Sequence, residues 1–169
     1  MNLHFIFNCL NSIKPLIQKH EEEKSVMYLT TFSKLIRTFF CNADIREISL
    51  YDEIETCRLY LQLKAMRFDN KFTWSVTFDE QIDLKLVSIP ALIIEPFIEN
   101  PIWHGIVLLN NRGHVSLNVL GKAGEVEIII EDNGVGREAS HLNKPNSGFT
   151  HQSKVANLIQ SRLVMNNLL

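Results

Sequence analysis

Residues 90–105 read PALIIEPFIENPIWHG, and residues 131–136 read EDNGVG. The first segment is apolar apart from Glu95, Glu99, Asn100 and His104, and its pattern predicts a largely buried helix over 90–105. Residues four apart share a helix face, so Asn100 and His104 project together, one turn apart. An Asn side-chain oxygen suits Mg²⁺, a hard ion that keeps several waters and takes few protein oxygens when substrate phosphates supply the rest. The same residues also fit a packing role, with Asn100 hydrogen-bonded in the core and His104 closing the helix beside Gly105.

The second segment ends an apolar run at 126–130 that reads as a strand. A carboxylate only accepts hydrogen bonds, so Asp132 suits an exocyclic amine such as that of adenine. Gly134 and Gly136 let the backbone approach a ligand closely. Asn133-Gly134 is equally a strong turn signal. A turn alone leaves the second glycine unexplained, as it does the long loop that replaces a returning strand.

Between the two segments, residues 115–120 and 126–130 read as antiparallel strands joined through a turn at Gly121-Lys-Ala-Gly124. Upstream, Phe72, Trp74, Val76 and Phe78 alternate with Thr73, Ser75 and Thr77, the period of a half-buried strand. Before it, Ile54, Leu61, Ala65 and Phe68 mark a helix over 50–68 capped by Ser49. Residues 132–150 read as a long loop and 152–166 as a last helix.

At the start, Leu3, Ile6, Leu10, Ile13 and Ile17 form one helical stripe, and Pro15 is a candidate kink. Val26, Leu29, Ser33, Ile36 and Phe40 form a second stripe, led by Glu21, Glu22 and Glu23 where the helix dipole favours negative charge. Two packing helices and a dimerising hairpin both satisfy this spacing. His4 lies off the stripe, with Asn8, Asn11 and Ser12, which turns its imidazole to solvent. An ordinary His is largely neutral near pH 7 and therefore nucleophilic; a plain surface His fits the spacing too.

Composition bounds these readings. The chain has 169 residues, 46% apolar and 21% charged, which allows one compact domain with a smaller appendage. A net charge of -2 without a basic stripe argues against nucleic-acid binding. Cys9, Cys41 and Cys57 are too sparse for a disulfide framework or a CxxC metal knuckle. No apolar run reaches the length needed to cross a bilayer. A motif-like segment beginning at Met1 predicts that the chain is a fragment. The order of elements predicts an α+β fold, with helices gathered on one face of a mixed sheet. A doubly wound parallel sheet would need strict alternation.

The two motifs together, with two strands between them, resemble the GHKL nucleotide-binding superfamily. In that family an Asn-bearing helix holds Mg²⁺, matched here by Asn100, and a DxGxG box receives adenine, matched by Asp132, Gly134 and Gly136. NLHFIFNCLNSI, at residues 2–13, is similar to the NPHFLFNxLNxI signature of LytS/YehU-type sensor histidine kinases, in which the His is the phosphoacceptor. His4, Phe5, Phe7, Asn8, Leu10, Asn11 and Ile13 carry that match. RLYLQLKAMRF and IPALIIEPFIENPIWHG also look like this family, so the resemblance covers nearly the whole chain.

Departures are specific. Pro96 stands four residues before Asn100, where hydrolysing relatives carry a water-activating Glu, which favours transfer to a side chain over ATP hydrolysis. Trp103 replaces the family's Lys, and Leu3 and Pro101 replace a Pro and an Ala. The second glycine box is reduced to Ser147-Gly148, and the chain stops before the family's final strands.

The resemblance implies a helical phosphoacceptor and dimerisation hairpin over 1–45 and a GHKL (Bergerat-type) two-layer α/β sandwich over 46–169, truncated at its C-terminus. It implies binding of Mg²⁺ and ATP, with Asn100 on the metal and His104, Gly105, Asp132, Gly134, Gly136, Ser147 and Gly148 on the nucleotide. It further implies γ-phosphoryl transfer to His4 with Glu99 assisting, a homodimer through the N-terminal helices, and a response regulator receiver domain as the next acceptor. The location implied is the cytoplasmic portion of an inner-membrane sensor whose membrane part lies upstream. Two rivals are a catalytically inactive regulatory module with the same fold, motivated by the reduced glycine box, and a GHKL ATPase.

Overall fold

The computed structural model describes residues 3–42, 44–102, 106, 112–122 and 124–134, with backbone alone for residues 3 and 4. Helix α1 spans Leu3–Gln18 and α2 spans Glu22–Asn42. Their connection is a Schellman turn. His20 takes a left-handed φ of 57°, its N–H donates to the Ile17 carbonyl, and the Glu21 N–H donates to the Leu16 carbonyl. Pro15 lies inside α1 without ending it.

The faces of these helices separate two apolar sets. Phe5, Cys9 and Ile13 of α1 and Tyr28, Leu35 and Phe39 of α2 are buried. The stripes picked out by periodicity lie mostly elsewhere: Leu10, Ile17, Val26, Leu29 and Phe40 are exposed, and among the described stripe residues Ile13 alone is buried. Each helix therefore carries a core-facing set and an outward apolar set.

Strand β1 spans Glu47–Ser49 and runs into α3, Leu50–Arg67. Ser49 is the N-cap, its hydroxyl oxygen accepting the Asp52 N–H at 3.1 Å. The N–H groups of Leu50 and Tyr51 donate to the carbonyls of Val87 and Leu84, so donors that a helix start leaves unpaired are taken up. The helix ends where Asp69 and Asn70 adopt φ of 52° and 54°, a region these short polar residues tolerate.

The remaining elements are β2 (Phe72–Phe78), β3 (Ser88–Pro90), α4 (Glu95–Pro101), β4 (Gly113–Lys122) and β5 (Glu125–Asp132). Strands β1 and β3 pair antiparallel. Strand β4 pairs parallel with β2 on one side and antiparallel with β5 on the other, making a mixed three-stranded sheet. The β4–β5 hairpin closes beyond the Lys122–Glu125 pair, with Gly124 at φ 86°. Both strands extend beyond the expected 115–120 and 126–130, since the turn is tighter than Gly121–Gly124.

Cross-strand partners share a face. Phe72, Trp74 and Val76 lie with Val115, Leu117, Val119, Ile128 and Ile130 on the face that joins the helices' core residues in one cluster. The other face is polar. His114 bonds Thr73 Oγ1 at 2.9 Å through Nδ1 and Ser75 Oγ at 3.0 Å through Nε2, and Thr77 Oγ1 donates to Asn118 Oδ1 at 2.6 Å.

The expected helix over 90–105 is corrected here. Pro90 belongs to a strand, residues 91–94 form a turn, and α4 begins only at Glu95. The reason is local: Leu92 sits at a left-handed φ of 60°, which no helix accommodates. Strands β1 and β3 escape sequence reading because three residues are too few to show a period of two.

Candidate functional site

Helix α4 is short and has no side-chain cap of its own. Its start is held instead by α3. The fully buried carboxylate of Glu53 accepts the Leu92 N–H through Oε2 and the Ile94 N–H through Oε1, both at 2.9 Å. Burial pushes the Glu53 carboxyl above the usual range, and the backbone N–H groups around it oppose that shift. Ile94, Ile98, Ile102 and Ile106 repeat every four residues and are all buried. This ridge turns Glu95 and Glu99 toward α3 and leaves Asn100 exposed. A core-bonded Asn100 is therefore excluded.

Glu99 reaches Lys64 of α3, with Oε1 3.4 Å from Nζ. Glu95, one turn earlier, has its carboxyl pushed up to about 7, first by burial and then by the charge of Glu99, with Lys64 opposing. Tyr60 stands beside them, and burial with the nearby Glu99 charge raises its phenol well above the usual range. Phe5 stacks on Tyr60 with ring centroids 5.7 Å apart. That contact brings the first turn of α1, which contains His4, onto α3. Burial raises the thiols of Cys9 and Cys57 as well, so neither is poised as a thiolate.

Helix α4 packs beside β5. Asp132 ends that strand in register with Val115, on the core-facing side of the sheet, yet it is exposed because the core has run out there. Its Oδ1 accepts the Gly134 N–H at 2.8 Å. Asn133 hooks back to β4: its Oδ1 accepts the His114 N–H at 2.6 Å, and its own N–H donates to the His114 carbonyl at 3.2 Å. These bonds make Asp132-Asn133-Gly134 a fixed turn rather than a loose end.

The fold thus puts Asn100 and Asp132 on neighbouring elements and sets Glu99 among residues of α3. His104, Gly105, Gly136, Ser147 and Gly148 lie outside the described residues, as do most of the 132–150 loop and the 152–166 helix. Glu53 and Lys64 were not singled out from sequence. Both are charges on the apolar period of α3, beside Ile54, Cys57, Tyr60 and Leu61, and that misfit is a legible signal. Among the described residues no helix is long and apolar enough to cross a membrane, and no group of three or more His, Cys, Asp or Glu is arranged to hold a metal ion.

Residues 1–72 match the histidine kinase family model, and over about four fifths of its length the chain is similar to sensor histidine kinases and to sensor protein LytS. Among its relatives, sensor histidine kinase BtsS of Escherichia coli K12 is 31% identical over 135 residues, which is 79% of this chain and 23% of BtsS. Sensor protein LytS of Staphylococcus epidermidis RP62A is 31% identical over 142 residues, covering 84% of this chain and 24% of LytS. Sensor histidine kinase YpdA of E. coli K12 is 29% identical over 136 residues, covering 80% of this chain and 23% of YpdA. The alignments span about a quarter of the length of these curated relatives.

Proposed function

We propose that the chain is the kinase portion of a two-component sensor, which binds Mg²⁺ and ATP and moves the γ-phosphoryl group to His4 and then to a receiver domain of a response regulator. The observation that carries this reading is the placing of α4, with Asn100 exposed, beside β5, with Asp132 exposed, in a chain related to sensor histidine kinases. Residues 46–169 form the nucleotide-binding part, of GHKL two-layer type, and residues 1–45 the phosphoacceptor hairpin. The chain acts on the cytoplasmic side of a membrane sensor.

The donor set fits the groups involved. Asn100 offers an uncharged oxygen at an exposed position, suited to a hard cation that keeps most of its waters. Asp132 offers an acceptor for the adenine amine, and Gly134 leaves the backbone beside it open. His104, Gly105, Gly136, Ser147 and Gly148 complete the nucleotide contacts. Bound Mg²⁺ neutralises phosphate charge as it builds toward the transition state.

His4 attacks the γ-phosphorus with a ring nitrogen lone pair. The N–P bond forms as the O–P bond to ADP breaks, with its electron pair leaving on ADP. The proton on the other ring nitrogen passes to the Glu99 carboxylate. The chain's contribution is positioning and charge neutralisation. Pro96 stands where a water-activating base would favour hydrolysis. The outward apolar stripes of α1 and α2 join two copies into a homodimer.

Mg²⁺-dependent binding of an ATP analogue, lost in Asp132→Asn, tests the pocket first. Incubation with γ-labelled ATP then tests turnover: acid-labile, base-stable label that disappears in His4→Gln supports the kinase. Phosphate release without labelled protein points to an ATPase, and binding with neither points to a regulatory module.

A further inference from the structure

Lys64 is a buried charge that the proposed chemistry does not use. Its side chain is 3% exposed, and a lysine is almost never fully buried unless its charge is paired. The ammonium lies 3.4 Å from Oε1 of Glu99, while its Nζ is 5.3 Å from the ring centroid of Phe5 and 5.0 Å from that of Tyr60. Both ring distances are within cation–π range. One cation therefore contacts the first turn of α1 through Phe5 and the middle of α4 through Glu99. Phe5 follows His4 directly, so their Cα atoms are about 3.8 Å apart, and Glu99 precedes Asn100.

The physical consequence is a constraint. Glu99 is half-exposed, and a carboxylate at such a position ordinarily samples several rotamers. A buried cation on one side of it selects among them, and the rings that flank that cation fix α1 in turn. Burial pulls the Lys64 ammonium below its usual range, and the charge of Glu99 works against that.

We propose that Lys64 is a positioning residue for phosphoryl transfer: it orients the Glu99 carboxylate and, through Phe5, sets the first turn of α1 relative to α4, so that His4 and Glu99 meet in one geometry. The proposal rests on the kinase reading above. As a positioning residue, Lys64 acts through Glu99 and Phe5.

The test is steady-state and single-turnover labelling of the full chain with γ-labelled ATP, comparing wild type, Lys64→Met, Lys64→Arg, Glu99→Gln and the Lys64→Met/Glu99→Gln pair. Met keeps the buried volume without the charge, and Arg keeps the charge. Expected are a kcat for Lys64→Met lowered roughly tenfold or more with KM for ATP nearly unchanged, partial recovery in Lys64→Arg, and a double variant slowed by clearly less than the product of the two single losses. An unchanged kcat, a loss confined to KM, or losses that multiply in the double variant would overturn the role. Should Lys64→Met fail to fold, Lys64→Arg decides by the same kcat and KM comparison with Glu99→Gln. A wild type that takes no label on His4 overturns the kinase reading itself, whereas a labelled wild type with unimpaired Lys64→Met overturns the Lys64 role alone.

Discussion

The carboxylate of Glu53 accepts the backbone N–H of Ile94 at 2.9 Å, tying the start of α4 to a helix 41 residues earlier in the chain. A second oxygen of the same group holds Leu92, whose left-handed backbone would otherwise relax. The helix that carries Glu99 and Asn100 is thus placed by a cap supplied from α3.

Glu53→Ala leaves two N–H groups without their acceptor. Each orphaned donor costs about 1–3 kcal/mol, so a loss of about 3 kcal/mol is expected in urea unfolding. Glu53→Gln keeps one acceptor oxygen and should lose less. An alanine variant within about 0.5 kcal/mol of wild type would show that the cap does not hold α4.

Glu95 makes stability depend on pH. Its carboxyl is pushed from 4.5 up to about 7 by burial and by Glu99, so between those values the folded chain holds a proton that the unfolded chain has released. Stability from this group is therefore fully present below pH 4.5 and lost as pH rises through 7. Glu95→Gln should remove that decline and be about 1–2 kcal/mol more stable than wild type at pH 8, after allowing for solvent screening at a partly exposed site. Parallel unfolding curves for the two proteins from pH 5 to 8 would count against it.

Gly113 opens β4 against Ile106. A Cβ there would stand 2.5 Å from Ile106 Cγ2 and 3.1 Å from its Cβ, too close for a rotamer change to relieve. Gly113→Ala is expected to cost about 1–3 kcal/mol. In the Gly113→Ala/Ile106→Ala pair the two costs should fall short of adding, and strict additivity in thermal unfolding would refute the contact.

Leu10 and Leu29 lie on the outward stripes, 44% and 41% exposed. Leu10→Glu with Leu29→Glu should leave the fold of one copy nearly unchanged while weakening self-association by at least about tenfold. Light scattering across a dilution series reads the difference directly. A dimer that survives both charges would place the joining surface elsewhere.

Periodicity found α1, α2, α3, β2, β4 and β5, because each is long enough to repeat its own pattern. The Ser49 cap was legible for the same reason that it works, a hydroxyl one residue ahead of an apolar helix. Periodicity could not decide which apolar stripe of α1 and α2 faces inward, since both helices carry two. Nor could it find β1 and β3, or the break at Leu92, which depend on partners more than thirty residues away.

The sequence by itself determined the mixed helix-and-strand class, the order of the long elements, and the kinship to sensor histidine kinases, all properties of local pattern and linear order. Tertiary structure alone decided that Asn100 is exposed, that Glu53 caps a distant helix, and that Lys64 joins Phe5 to Glu99. The first follows from the buried isoleucine ridge of α4, and the other two from burying charge at low dielectric. A buried ion must find partners wherever the fold brings them, and their positions are written in no single stretch of chain.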